Sequence, residues 1–215
     1  MMDSIYQWFL APYEGYTPLF IALEAMSAFF GILSVWYIKK NSILGYPTGI
    51  ISTATYVYLL YEWGIYGDAV VNVYYTAMSV YGWWVWATVR TDDSEDKMPI
   101  TRLDKKGLAF TVAFTVGNFL LFYLVLSRYT DSTVPMIDSI TTALAFGAMW
   151  LQARKKLEHW SLWIACDVLS IGLYIYKGYG ITALQYAIFL ALAIAAHYSW
   201  VKMYKDSLSK SVTRN

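Results

Sequence analysis

Trp160, Trp163 and Asp167 stand at i, i+3 and i+7 within the run W-S-L-W-I-A-C-D. In a helix these positions share one face. Two indoles in a row with a carboxylate make a seat for an organic cation: the ring faces attract positive charge and the acid neutralises it. Further along, Gln185 and Tyr186 fall together in an apolar run. A buried Gln has up to four hydrogen-bonding sites to satisfy, which suits a ribose, a carboxamide or a neighbouring helix. Asn72 heads a stripe continued by Tyr75, Ser79, Trp83 and Trp86. Such a stripe is more often packing than site, but an amide in lipid needs a partner, so Asn72 joins the candidates. Ser52, Thr53 and Thr55 either line a path or bond their own backbone. Cys166 is a single thiol in an apolar run, read as a small buried hydrophobe.

The elements that position these groups must lie in a membrane. The 215 residues are 58% hydrophobic and 14% charged, against about 25% charge in an ordinary soluble domain; the mean hydropathy is +0.42. The 20 Tyr and 10 Trp fit aromatic belts at membrane interfaces. A net charge of +1 gives no footprint for nucleic acid. The first sixteen residues hold Asp3 and Glu14 but no Lys or Arg, so the basic region of a signal peptide is missing and the first apolar stretch is expected to stay in the mature protein.

Seven stretches are long and apolar enough to span: 17–38, 43–61, 68–89, 108–126, 134–153, 159–176 and 182–202. Gly45, Pro47 and Gly49 predict a kink or a late start in the second. The polar connection 90–106 reads as a solvated loop. Lys39 and Lys40, five basic residues of that connection, Arg154, Lys155 and Lys156, and four at the C-terminus fall on one side, with Arg128 and Lys177 on the other. The split of 14 to 2 predicts an N-terminus outside and a C-terminus in the cytoplasm. Lys177 then anchors the outer end of the sixth stretch, and Glu24 and Asp138 form an electronegative vestibule or a water-exposed pair.

The chain also repeats. A shift of 114 residues brings Trp36 onto Trp150, Gly64 onto Gly178, Ala69 onto Ala183, Trp86 onto Trp200, and Glu24 onto Asp138. The prediction is one membrane domain over 1–215: a first three-helix repeat (17–89), a linker helix (108–126) and a second repeat (134–202). This is an all-α, 3+1+3 parallel-repeat plan, SWEET-like in outline, with a transport site between its halves.

The segment from Trp160 to Asp167 resembles the W-x-x-W-x-x-x-N/D motif of the PnuC-type vitamin transporters. L-Y-I-Y-K-G from Leu173 and L-Q-Y from Leu184 match the continuation, and M-S-V-Y-G-W-W-V-W from Met78 resembles the family's helix-three signature. The likeness covers nearly the whole chain. It implies facilitated diffusion of nicotinamide riboside, with thiamine as the alternative, in a bacterial inner membrane. It also implies a homotrimer, trapping of substrate by a cytoplasmic kinase, and no cofactor. Carried over, Trp160, Trp163 and Asp167 become substrate contacts, with Gln185, Tyr186 and Asn72 as second candidates. Asp167 stands where many nicotinamide riboside carriers have Asn. Both vitamins carry a cationic aromatic ring, so an acid among indoles suits either and distinguishes the chain from a sugar facilitator of the same plan. A retinal-type photoreceptor is excluded, because the last stretch has no Lys before Lys202. So is a metallo- or serine enzyme: His159 and His197 sit near stretch ends, and neither H-E-x-x-H nor G-x-S-x-G occurs.

Overall fold

The computed structural model describes residues 16–88 and 98–213. They form seven helices: α1 (Pro18–Lys39), α2 (Gly45–Glu62), α3 (Tyr66–Thr88), α4 (Lys105–Tyr129), α5 (Pro135–Ala153), α6 (His159–Tyr176) and α7 (Gly180–Thr213). By length and composition α1, α4 and most of α7 are apolar enough to cross a membrane. The others interleave Tyr, Thr, Ser and Gly with their apolar residues.

Local chemistry explains the boundaries. Thr17 caps α1, its hydroxyl accepting from Phe20 N, and Pro18 takes the first turn, where a missing N–H costs nothing. Asp104 caps α4 in the same way through Gly107 N, 2.8 Å away. Pro47 lies in the first turn of α2, which begins late, at Gly45. The last helix continues past position 202 to Thr213, because neither Gly nor Pro interrupts the polar run that follows the apolar one. At 1.5 Å per residue its 34 residues reach about 51 Å, beyond a hydrocarbon core of about 30 Å.

The offset of 114 recurs in local geometry. The described non-glycine residues with positive φ are Asn41 (52°) and Lys155 (49°); the glycines are Gly64 (74°) and Gly178 (81°). The turns around them are hydrogen-bonded alike: Asn41 N to Ile38 O at 2.8 Å and Lys155 N to Gln152 O at 3.0 Å. Lys40 lies over Trp36 at 3.6 Å, and Arg154 over Trp150 at 3.3 Å. Ser27 Oγ donates to Ser52 O at 2.7 Å, while Cys166 Sγ donates to Thr141 O at 3.4 Å, the same two positions with the donor exchanged. Packing follows: α1 on α2 and α2 on α3 match α5 on α6 and α6 on α7, while α1 meets α7 and α3 meets α5. The substantial contacts of α4 are with α5.

The connection before α4 is less solvated than its composition suggests. Residues 89–97, with Arg90, Lys97 and the acidic run, lie outside the described residues. The remainder is stitched to the α5–α6 turn. Thr101 N donates to Lys155 O, Leu157 N donates to Thr101 O, and Glu158 takes both Arg102 and Leu103 N. Ile100 is buried there beside Leu157 and Trp160.

Candidate functional site

Asp167 sits in the middle of α6 and is 3% exposed. Among the described residues no ion pair or hydrogen bond reaches its carboxylate. The aromatic rings of this region come from four helices. Trp163, one turn earlier, is held by a hydrogen bond from its Nε1 to Gln152 Oε1, 3.1 Å away on α5. Its indole meets Tyr75 of α3 edge-on at 6.4 Å. Tyr75 in turn meets Phe146 of α5 at 6.2 Å and 89°. Tyr74 fixes that wall, its ring 3.7 Å from Phe146 and its hydroxyl donating to Phe146 O at 3.0 Å. On the far side Tyr174, two turns beyond Asp167, stacks on Tyr186 of α7 at 5.2 Å and 13°. The Tyr186 hydroxyl lies within electrostatic reach of Tyr174, Cys166, Tyr75 and Asp167. Tyr75, Tyr174 and Tyr186 lie within electrostatic reach of one another and of Cys166, and Tyr186 also of Asp167, so a buried acid with no counter-charge among the described residues adjoins an aromatic cluster. It can pair with a cation and stack a flat ring.

Of the residues the sequence singled out, Trp163, Asp167 and Tyr186 come together here. Trp160 does not. It is 1% exposed, its ring 5.9 Å from Trp200 and 4.3 Å from His159, in a core shared with Tyr46 and Trp86. It shares a helical stripe with Trp163 but belongs to the packing at the basic end. Asn72 donates to Asp68 O of its own helix at 3.0 Å, so its amide already has a partner. Gln185 is half-buried and makes no side-chain hydrogen bond among the described residues. Tyr75, Phe146, Tyr174 and Gln152 were not among the candidates. Tyr174 carried a signal, since it stands at i+7 from Asp167 on the same face. Tyr75 lay on the stripe read as packing.

At the end of the bundle away from the basic residues, Lys177 is more than an anchor. Its Nζ lies 2.7 Å from Asp138 Oδ1, while Ser132 Oγ donates to Asp138 Oδ2 at 2.6 Å. Asp68 lies within electrostatic reach of both members of the pair. Asp138 is therefore neutralised and does not contribute a free negative charge to a vestibule. The helix ends of α3, α5 and α6 meet at this cluster.

Comparisons with known proteins follow the same lines. The family model described as nicotinamide mononucleotide transporter matches residues 21–202. The nicotinamide riboside transporter PnuC of Neisseria mucosa is 26% identical over 194 residues, covering 85% of this chain and 73% of its own. PnuC of Escherichia coli is 22% identical, covering 89% and 90%. The riboflavin/roseoflavin transporter RibM of Streptomyces davaonensis is 26% identical over 134 residues, covering 61% and 62%. The crystal structure of the vitamin B3 transporter PnuC superposes with a TM-score of 0.70 at 23% identity, over 95% of this chain and 89% of that one. That likeness shows the fold.

Proposed function

The chain belongs to the nicotinamide mononucleotide transporter family, and from that premise we propose that this bacterial membrane transporter carries nicotinamide riboside by facilitated diffusion. The observation that carries the substrate reading is Asp167, buried with no counter-charge among the described residues, one turn from Trp163 on α6 and within electrostatic reach of Tyr186. A charge in such surroundings costs several kcal/mol unless it is paired, and a cationic pyridinium would pair it while its ring stacks. Trp163, Asp167 and Tyr186 are the proposed contacts, with Gln185 and Asn72 as secondary ones. Relatives named as nicotinamide riboside transporters support this reading.

The proposal extends to architecture. All seven helices span, in a 3+1+3 parallel repeat with α4 as the linker, the N-terminus outside and the C-terminus in the cytoplasm. Support comes from the turns, cation–π pairs and helix contacts that recur 114 residues apart, and from the 14-to-2 split of basic residues. A homotrimer, and trapping by a cytoplasmic kinase, belong to the same reading through the family resemblance. Uptake of labelled nicotinamide riboside, thiamine and riboflavin into liposomes holding the purified protein tests the substrate. Saturable uptake of nicotinamide riboside, competed weakly by the others, is expected. Saturable uptake of thiamine without nicotinamide riboside would reassign the cation.

A further inference from the structure

A cleft of about 320 Å³ opens where the start of α4 meets the end of α5, lined among others by Leu103, Lys106, Phe110, Trp150, Arg154 and Lys156. Three of these side chains are cations, and neither of the ion pairs among the described residues involves them. Arg154 lies over Trp150, 3.3 Å from the ring centroid, and its Nη1 is buried without a hydrogen-bond acceptor. Burial holds this guanidinium below its ordinary pKa, as expected of a charge lacking a counter-ion. Lys156 Nζ reaches Arg102 O at a long 3.4 Å, and Lys106 is exposed. The nearby acids are already engaged: Asp104 caps Gly107 N, and Glu158 holds Arg102 and Leu103 N.

The opposite wall is apolar. Phe110 and Phe114 lie 5.4 and 5.9 Å from Trp150. The Phe110 face of α4 continues through Phe114 to Leu121 and Leu124, one helical stripe by spacing, and the two leucines are exposed. Among the described residues, no helix packs beside the corresponding pair of the first half, Lys40 over Trp36, as α4 packs beside α5. The linker helix therefore makes the cleft.

We propose that this cleft binds the phosphodiester headgroup of an anionic membrane lipid, with Arg154, Lys106 and Lys156 on the phosphate and an acyl chain along the Phe110 side of α4. A planar guanidinium flanked by two ammonium groups suits a phosphate, and basic pockets between helices at a membrane surface recruit such headgroups. The continuous apolar wall favours a lipid over a soluble phosphate. The proposal rests on the chain lying in a bilayer and not on which vitamin crosses it.

Wild type purified in neutral detergent, titrated with phosphatidylglycerol and with phosphatidylcholine and followed by thermal unfolding, tests this. Phosphatidylglycerol should raise the midpoint and phosphatidylcholine should not. The Lys106→Gln, Lys156→Gln double variant removes two charges with little packing. It should keep its lipid-free midpoint and bind phosphatidylglycerol about 10-fold more weakly. Arg154→Lys keeps a charge over Trp150 but loses the fork, and should also weaken binding. Unchanged affinity in both variants, or equal stabilisation by phosphatidylcholine, would overturn the proposal. So would inorganic phosphate or a nucleoside monophosphate reproducing the full shift at equal concentration. Neither arm measures uptake, so this proposal and the transport reading fail separately.

Discussion

At the scale of single residues the decisive feature is a carboxylate with no counter-charge among the described residues. Asp167 is buried one turn from Trp163 on α6 and within electrostatic reach of Tyr186, so on the proposed reading a bound cation gains from both charge pairing and ring contact. Stacking on an indole contributes about 0.5–2 kcal/mol. Trp163→Ala should therefore weaken binding of nicotinamide riboside roughly 10-fold. Asp167→Asn keeps the shape and a hydrogen-bonding oxygen but removes the charge. The cationic vitamin should lose affinity, while a neutral analogue with a reduced ring should be nearly unaffected. Calorimetry with both variants and both ligands distinguishes the roles: equal losses for the two ligands, with a lower melting temperature before ligand is added, would make Asp167 structural. Part of this site was legible in the sequence, because the Trp163–Asp167 spacing fixes a shared face whatever the fold. Trp160 shows the limit of that logic. Periodicity gives the face of a residue and not its depth, and only tertiary packing places Trp160 against Trp200 and His159. Tyr75 and Phe146 were hidden for the converse reason: their importance comes from which helix lies opposite, and that is set by the contact of α3 with α5.

At the scale of elements, the helices were legible and their ends less so. α6 occupies the residues its apolar run predicts, since polar turns bound it on both sides. α7 overruns its prediction because hydropathy reports where lipid ends and not where helical hydrogen bonding ends. The segment 98–104 looked like loop because its composition is polar, and its anchoring depends on a turn more than fifty residues away. Close approach of helices is another property set by packing. Gly82 of α3 faces Tyr46 of α2, and a Cβ there would fall onto the ring, within 2.7 Å of the Tyr46 hydroxyl oxygen. Tyr46 is 1% exposed, and its hydroxyl donates to Gln152 O at 3.2 Å, so it has little room to yield. Gly82→Ala should then destabilise by about 1–3 kcal/mol, the usual cost of overpacking, seen as a lower melting temperature in detergent. Gly117→Ala on α4 meets nothing within 4 Å and serves as the control; equal behaviour of the two variants would contradict the α2–α3 contact.

At the scale of the whole molecule two asymmetries organise the chain, one of charge and one of energy. On the proposed topology, the charge asymmetry of 14 basic residues against 2 predicts the start of α4 on the cytoplasmic side. Lys105, exposed at that start, is a suitable reporter. Lys105→Cys should resist an impermeant thiol reagent in intact cells and react after permeabilisation, and labelling in intact cells would invert the topology. The energetic asymmetry follows from what can drive the cargo. The sequence has no G-x-x-x-x-G-K-[ST] loop to cradle a nucleotide, and on the proposed facilitated diffusion the gradient of the vitamin itself supplies the driving force. Asp138 is paired with Lys177, and Asp167, Glu24 and Asp68 are further helix acids to test for proton coupling. A ligand shifts a conformational equilibrium only by its differential affinity for the two states, and a cation carried without a coupled ion equilibrates its own electrochemical gradient, so with the membrane potential clamped at zero the inside reaches the outside concentration and no further. Liposomes holding the purified protein should therefore fill with labelled nicotinamide riboside until the two concentrations match. An imposed proton gradient of either sign should change neither the plateau nor its level relative to a protein-free correction. Enclosing a kinase that phosphorylates the vitamin, together with its ATP, should raise retained label well above that plateau. A plateau lifted by the proton gradient without any kinase would show coupled transport, and the Asp167→Asn and Glu24→Gln variants would then identify the acid that carries the proton.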